Sequence, residues 1–474
     1  MIRASSGARA ASPNVVLGIV CTGIVLANLD LFIVNVALPS IGAEFNAAGL
    51  DDTSWILNAY AIVYAALLVF FGRLAERSRR ERSFLLAVAL FTGASAACAA
   101  AHGVTSLVAF RIVQAAGAAL MTPTSLGLLL AVFPPEQRAR AVRTWTAVGG
   151  FGAALGPLLG GVLVAVNWRW IFLVNVPIGI GALLIGWWRL PAVPGHEAPR
   201  PNPWDAILVT GGVSALTLAI VKGNDWGWLS SATLGVGAVA VALLAVFVAR
   251  CLRASNPFVD PALFRIAHFT GAALVIAPYS VAFGAMLLSV ALWGQQVWGW
   301  SALSTGLAIA PGPLLVPFTS LIFAGPLIRR FGAAAVLAAG MVSMAAGLAW
   351  FATAVTLQPS FLVLVCGMIP TGIGVGLTYP TLMGISSASL PPSAFATGSG
   401  VINMIRQACL ALGVAIYVAV LGAPQSARGA QFAFERGWWT MALVVLTGLL
   451  PTYVLIRRSA STVAVRRAAP VRAS

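Results

Sequence analysis

Three ionisable residues lie within long apolar stretches of this chain, and they are the first candidates for chemistry. Asp30 is in the middle of the stretch CTGIVLANLDLFIVNVALPSI, while Arg111 and Arg406 lie in two later apolar stretches. A carboxylate at the centre of a membrane-spanning helix costs about 2.5 to 3.5 kcal/mol on insertion scales, so its presence requires a reason. An acid in a dry site near an arginine can take up and release a proton when its surroundings change. Asp30 is therefore our candidate proton carrier.

The composition indicates that these charges lie in a membrane protein. The chain has 474 residues, of which 60% are hydrophobic and 8% are charged, and its mean hydropathy is +0.94. No soluble globular domain has such a composition. A formal net charge of +16 could suggest a nucleic-acid partner, but the arginines lie in short loops between apolar runs rather than on one face. We therefore expect a lipid bilayer and no nucleic acid as the partner.

The elements that must position the charges are transmembrane helices. Apolar windows close to the roughly 20 residues that a bilayer requires predict fourteen of them, as six, two and six. The predicted fold class is an all-α polytopic membrane protein. Its expected organisation is a tail at 1–14, a six-helix half at 15–188, a linker at 189–204, two additional helices at 205–250, a connection at 251–267, a second six-helix half at 268–456 and a tail at 457–474.

The distribution of positive charge predicts how the chain is oriented. With the N-terminus in the cytosol, inner loops and tails hold 22 of the 28 Lys and Arg residues, and outer loops hold four. The other two are Arg111 and Arg406, which lie within spans. Cytoplasmic loops carry the excess of positive charge in membrane proteins. We therefore expect both termini in the cytosol and the protein in the cytoplasmic membrane.

A short internal repeat predicts two related halves. GRLAERSRR begins at Gly72, between spans 2 and 3, and GPLIRRFG begins at Gly325, in the corresponding loop of the second half. The two loops align Arg77 with Arg330. Parallel repeats related by an axis along the membrane normal are a recurring transporter design, with the substrate site near the midplane between them.

Five stretches in the expected order carry a resemblance to a known family: LDLFIVNVALPSI, WILNAYAIVYAALLVFFGRLAER, AFRIVQAAGAALMTP, GAALGPLLGGVL and WRWIFLVNVPIG. They resemble the major facilitator superfamily, and specifically its fourteen-helix drug:proton antiporters, from about residue 15 to 456. The resemblance implies the major facilitator fold, with two pseudo-symmetric six-helix halves around a central cavity. It also implies drug efflux driven by the proton gradient, without a cofactor.

The loop between spans 2 and 3 resembles the superfamily motif G-x-L-A-D-R-x-G-R-[RK], with Glu76 in place of Asp and Arg79 in place of Gly. An acid and several arginines at a helix junction can latch one conformation by pairing with charges and helix ends. The alternative is that these charges only set topology. Our candidate latch residues are Gly72, Glu76, Arg77, Arg80 and Arg330.

Two further motifs gain a role from the resemblance. In this family, the arginine that corresponds to Arg111 is implicated in proton coupling; the alternative is a structural arginine that caps backbone carbonyls. The glycine-rich motif in span 5 is associated in the family with antiporters, although glycines in membrane helices most often serve packing. Its residues here are Gly152, Gly156, Pro157, Gly160 and Gly161.

Polar and aromatic residues within the spans are the candidates for the substrate cavity. Asn403, Arg406 and Gln407 form a polar stripe on one helix, although Arg406 could instead reach the cytosol. The core of the spans contains one acid and two arginines, so no second carboxylate is available to pair with a dication. We therefore expect the substrates to be neutral, zwitterionic or anionic amphiphiles rather than dications. The full candidate set is Asn35, Tyr60, Tyr64, Gln114, Gln295, Tyr379, Asn403, Arg406 and Gln407.

These features predict a secondary transporter rather than an enzyme. The three histidines are scattered, so we expect no metal, and Lys222, the sole lysine, is not part of a phosphate-binding loop. The predicted function is proton-coupled efflux of small amphipathic molecules such as drugs, antibiotics or secondary metabolites, by a protein that works as a monomer. The alternatives are a proton-coupled importer and, with less support, a membrane sensor or a membrane-embedded acyltransferase.

Overall fold

The computed structural model describes residues 12–46, 49–195, 202–390, 395–422, 424 and 426–457, and leaves out a few side chains within these ranges, including that of Glu76. Most of both predicted tails and the middle of the predicted linker lie outside these ranges. The described residues form helices and no strand. The all-α prediction is confirmed for this part of the chain.

Fourteen helices within the described ranges are long and apolar enough to cross a membrane. We number them α1 Pro13–Glu44, α2 Leu50–Arg77, α3 Arg80–Ala99, α4 Val104–Val132, α5 Pro135–Val166, α6 Trp170–Arg189, α7 Pro203–Trp226, α8 Ser231–Arg253, α9 Ala267–Val297, α10 Ala302–Phe331, α11 Ala333–Ala354, α12 Phe361–Ala388, α13 Phe395–Leu421 and α14 Ala427–Ile456. A short 3-10 helix, Pro261–Arg265, precedes α9. The protein is therefore a multi-pass membrane protein.

Several helices extend beyond the apolar windows that predict them. α1 continues to Glu44, and α7 runs from Pro203 to Trp226. Asn202 caps α7 by accepting a hydrogen bond from the backbone N–H of Trp204 at 3.0 Å, and proline at the first helical position fits because no N–H is needed there. Capping and proline thus set the start of α7, which hydropathy alone places inside the true helix.

The helices pack as two groups with a seam between them. α1 contacts α2, α4, α5 and α6, and α3 contacts α4 and α6; in the second group, α9 contacts α12, α13 and α14, and α11 contacts α12 and α14. Across the seam, α2 packs against α13, α5 against α10 and α1 against α9. α7 packs against α2 and α13, and α8 packs against α7. This packing favours the six, two, six division, which stays a prediction.

Candidate functional site

Asp30 and Arg111 form an ion pair within the first helix group. Arg111 Nη1 donates to Asp30 Oδ2, and both side chains are 0% exposed. The residues are 81 positions apart in the chain, and α1 and α4 bring them together. Burying two charges is costly unless they are paired and their other polar atoms are hydrogen-bonded. The surrounding polar residues therefore decide whether this pair is stable.

Three amide and hydroxyl side chains complete the polar cluster around Asp30. Gln114 Nε2 donates to Asp30 Oδ1 at 2.8 Å and lies 2.8 Å from Ser95 Oγ of α3. Asn175 Nδ2 of α6 donates to the same Asp30 oxygen at 3.1 Å. The carboxylate thus receives donors from α4 and α6. The sequence does not single out Ser95 or Asn175, since each is a common polar residue in a membrane helix.

An aromatic layer separates the cluster from the space between the two helix groups. The guanidinium carbon of Arg111 lies 4.0 Å from the ring centre of Tyr60, a distance at which a cation is attracted to the ring face. Tyr60 stacks on Tyr64, with ring centres 6.0 Å apart and an interplanar angle of 8°. The Tyr64 hydroxyl lies 2.9 Å from Thr122 Oγ1. Asp30, Arg111, Tyr60 and Tyr64 therefore form a continuous row of contacts from the ion pair to the space between the two helix groups.

A cavity of about 1080 Å³ lies in the seam, and Tyr64 forms part of its wall. Most of the wall comes from α1, α2, α4 and α5 of the first group and from α9, α10, α12 and α13 of the second. Arg73, Arg80 and Arg138 line it at the end where α2 stops and α3 and α5 begin. The cavity therefore opens toward the arginine-rich loops. Asp30 and Arg111 do not line it.

Four of the nine residues predicted for the substrate cavity do line it: Tyr64, Tyr379, Asn403 and Arg406. The other five do not line this cavity, and their role in substrate binding stays a prediction. Tyr60 lies beneath Arg111, and Gln114 is bound to Asp30. Gln295 Nε2 donates to the carbonyl of Val36 at 2.8 Å, and Asn35 Nδ2 donates to the carbonyl of Phe32 at 3.3 Å. Gln407 is 2% exposed and is buried in the packing around α13.

Comparison with known proteins identifies the family of this chain. Residues 20–414 match the family model described as Major Facilitator Superfamily. The chain belongs to the Major Facilitator Superfamily. Membership confirms the predicted family, its fold and the prediction of a transporter rather than a membrane enzyme.

Several relatives of this superfamily member carry descriptive names. It is 31% identical to the tetracenomycin C resistance and export protein of Streptomyces glaucescens over 416 residues, covering 86% of this chain and 75% of that protein. It is 31% identical to the methylenomycin A resistance protein of Streptomyces coelicolor over 468 residues, covering 97% of each. A crystal structure of the POT family transporter PepTSo is similar with a TM-score of 0.68 at 14% identity, covering 94% of this chain and 98% of that one.

The glycine motif of this transporter presents two faces of α5 to two different helices. A Cβ built on Gly152 would lie 3.1 Å from Val25 Cα, on Gly156 2.9 Å from Phe32 Cβ, and on Gly160 3.0 Å from the Ile33 carbonyl oxygen, so these three glycines pack against α1. Gly161 faces α10 of the other group, where a Cβ would lie 2.7 Å from the Ala302 carbonyl oxygen. Pro157 lines the cavity. The motif thus packs the first group internally and also closes the seam.

The first turn of α3 contains a buried acid that the predicted latch does not include. Glu81 is 6% exposed; it accepts from Arg79 Nε at 2.6 Å and from the backbone N–H of Val193 at 2.9 Å. Arg80 Nη1 donates to the carbonyl of Gly127, near the C-terminal end of α4, at 2.9 Å. The start of α3 is therefore bound to α4 and to the segment after α6.

The other predicted latch residues lie at three different places. Gly72 lies on the cavity wall, Arg77 is exposed in the last turn of α2, and Glu76 lies outside the described side chains. Arg330, the counterpart of Arg77 in the repeat, is also exposed, and its guanidinium carbon lies 5.2 Å from the ring centre of Phe331. The latch remains a prediction, and Glu81 is the residue to add to it.

The cavity has its mouth at the end lined by Arg73, Arg80 and Arg138. The opposite end of the seam is closed, and Lys222 of α7 takes part in the closure. Lys222 Nζ donates to Asp51 and, at 3.1 Å, to Asp52 Oδ1, both in the first turn of α2. Two residues later, Asn224 Nδ2 donates to the carbonyl of Ala419, in the last turn of α13, at 2.6 Å. The end of α7 therefore contacts one helix from each group.

Replacing Lys222 is expected to loosen this closed end. Lys222→Gln leaves two neighbouring aspartates in α2 without their cation, and exposed ion pairs contribute about 0.2 to 1 kcal/mol each. We expect hydrogen–deuterium exchange of the first turn of α2 to become roughly two- to fivefold faster. Lys222→Arg, which retains the charge, is the matched control. Unchanged exchange in Lys222→Gln would show that the ion pairs do not hold α7 on α2.

Within the described residues, no group of three or more His, Cys, Asp or Glu side chains could hold a metal ion. The five cysteines are free. The site combines a buried carboxylate with a neighbouring cavity large enough for a small organic molecule.

Proposed function

We propose that this protein exports small amphipathic molecules across the cytoplasmic membrane by alternating access, in exchange for protons. The observation that carries the proposal is the cavity of about 1080 Å³ between the two helix groups, open at one end and closed at the other. Ligand pockets of roughly 300 to 1,000 Å³ are typical for drug-sized molecules, so the volume is suitable. Relatives described as antibiotic resistance and export proteins support the same direction and substrate class.

The arginine-rich loops give the cavity its proposed orientation. Since positive loops face the cytosol, the mouth bounded by Arg73, Arg80 and Arg138 opens inward. Both chain termini are then cytosolic, and the Lys222 contacts lie at the outer surface. This conformation would take its substrate from the cytosol. We further propose the six, two, six division, in which α7 and α8 are additions beside the seam.

Asp30 is the proposed proton carrier, and Arg111 is its partner in coupling. Protonation of Asp30 would remove the negative charge to which Arg111, Gln114 and Asn175 are bound. The freed polar groups would then have to find other partners, which favours a different arrangement of α1, α4 and α6. Because Arg111 also lies against Tyr60, and Tyr60 against Tyr64, the rearrangement reaches the cavity wall. No cofactor is needed for this cycle.

The test is transport by the purified full-length protein in liposomes. A fluorescent aromatic amphiphile is followed while a proton gradient of either sign is imposed. Export predicts that substrate moves against the direction of proton flow. Movement of substrate together with protons would instead indicate the importer, and a protein that binds but never moves the probe would indicate a sensor.

A further inference from the structure

The charges on the cavity wall all have the same sign. Among the described lining residues the charged side chains are Arg73, Arg80, Arg138 and Arg406, and there is no Asp, Glu or Lys. The first three lie at the mouth and bind backbone carbonyls: Arg73 binds that of Pro257 at 2.5 Å, Arg80 that of Gly127 at 2.9 Å and Arg138 that of Phe133 at 3.0 Å. Arg406 differs from them in both position and partners.

Arg406 lies deep in the cavity. It is eleven residues inside α13, which begins at Phe395, so it lies about 16 Å along the helix from the mouth. It is half-buried, and within the described part of the chain no carboxylate forms a salt bridge with it. The buried acid Asp30 is paired with Arg111 instead. A partly buried charge without an ion-pair partner is only partly solvated, so an anion that enters the cavity would gain a strong interaction here.

Aromatic and amide side chains hold Arg406 in place from one side. Its guanidinium carbon lies 4.6 Å from the ring centre of Tyr379 on α12. The Tyr379 hydroxyl donates to Asn403 Oδ1 at 3.3 Å, and Asn403 Nδ2 donates to the carbonyl of Ser399 at 3.0 Å. One face of the planar guanidinium therefore packs on a ring that is itself tethered to α13. Within the described residues no hydrogen bond engages its N–H groups, which can therefore form the two parallel hydrogen bonds that arginine makes with carboxylates.

The wall around Arg406 suits an aromatic body. Tyr279 and Phe283 of α9 stack with ring centres 6.0 Å apart, and both line the cavity together with Tyr64. A ligand with one negative group and a flat apolar body could place that group on Arg406 and its body against these rings. A dication would meet four arginines and no acid on the described wall.

We propose that Arg406 is the anchor for the negative group of an aromatic monoanionic substrate, a carboxylate or a phenolate. This proposal rests on the proposed transport function and names its substrate class. It assigns specificity to one side chain, with Tyr379 as the residue that positions it.

Binding to the purified full-length protein in detergent tests the proposal without requiring transport. The probes are a diethylaminocoumarin carboxylate and its ethyl ester, which share one fluorophore and differ in the negative charge. The wild type is expected to bind the carboxylate roughly ten- to hundredfold more tightly than the ester, as for a hydrogen-bonded charge pair. Arg406→Gln is expected to remove this preference while ester binding stays, and Arg406→Lys to retain part of it. The control is Arg253→Gln, which removes an exposed arginine at the end of α8, outside the cavity.

Two results would overturn the anchor: equal binding of both probes by the wild type, or a preference that persists in Arg406→Gln. Retained ester binding shows that the variant is folded, so a loss of the preference cannot be due to misfolding. Failure of the transport function has a different signature, because the preference would then be present in detergent while neither probe is moved in liposomes.

Discussion

Asp30→Asn is expected to abolish proton-driven export while the substrate cavity still binds its ligand. Asparagine has nearly the same shape but cannot exchange a proton, and Asp30 is fully buried away from the cavity wall. We expect substrate efflux from liposomes to lose its dependence on the imposed proton gradient. A neutral aromatic probe should still bind, because no residue of the cavity wall is replaced. The measurements are initial efflux rates with and without the gradient, and probe affinity in detergent.

A matched control separates loss of the proton carrier from loss of a buried charge pair. Asp205 of α7 is 3% exposed and pairs with Arg250 of α8 at 2.5 Å, away from the cavity. Asp205→Asn should therefore retain gradient-driven export. If Asp30→Asn continued to export at the wild-type rate under the gradient, Asp30 could not be the carrier.

A second variant is needed to separate the effect on thermal stability from the effect on proton coupling, because Asp30→Asn leaves Arg111 buried without its partner. Breaking a buried pair from one side typically costs about 3 to 5 kcal/mol. The double variant Asp30→Asn with Arg111→Gln removes both charges and should recover thermal stability but not proton coupling. Recovery of both thermal stability and proton coupling in the double variant would show that the ion pair serves packing alone.

The sequence predicts the helices and isolates the central charges, because hydropathy and intramembrane charge are local properties. Asp30 and Arg111 can each be identified from the apolar residues around them. Their contact cannot be derived in the same way, since it depends on how α1 packs against α4. The same limit hides Asn175 and Ser95, whose roles come only from the helices that they face.

Depth along a helix also explains why some predicted cavity residues line the cavity and others do not. Tyr60 and Tyr64 are one turn apart on α2, yet Tyr64 lines the cavity and Tyr60 lies under Arg111. Asn403 and Gln407 are likewise one turn apart on α13, and only Asn403 lines the cavity. A step of four residues rotates by about 400°, slightly beyond a full circle, and shifts the residue by about 6 Å along the axis. Depth and neighbours, which the sequence does not contain, therefore decide the assignment.

Glu81 shows a different kind of limit. It lies within the arginine-rich run after α2, where a charged residue reads as part of a solvated loop. Its side chain is nevertheless 6% exposed, because the segment after α6 lies across it and Val193 donates its N–H to it. A contact between segments 112 residues apart has no signal in a single sequence.

Gly161→Val is expected to prevent the seam from closing between α5 and α10 and thereby to abolish transport. A Cβ at Gly161 would lie 2.7 Å from the Ala302 carbonyl oxygen, 3.1 Å from Leu303 Cα and 3.3 Å from Gly306 Cα. All three neighbours are backbone atoms, which cannot move aside as a side chain does. Backbone approach of this kind between membrane helices requires glycine.

The clash at position 161 is expected to change the conformation of the protein in addition to lowering its transport rate. Since the contact joins the two helix groups, valine should push α10 away from α5 and shift the population toward the state in which this end is open. Spin labels placed on the ends of α5 and α10 nearest Gly161 should report a longer distance in Gly161→Val than in the wild type. Gly93→Val is the matched control, because a Cβ at Gly93 in α3 meets nothing within 4 Å. An unchanged distance together with normal transport in Gly161→Val would show that the two helices separate without cost, and that the glycine serves only the internal packing of the first group.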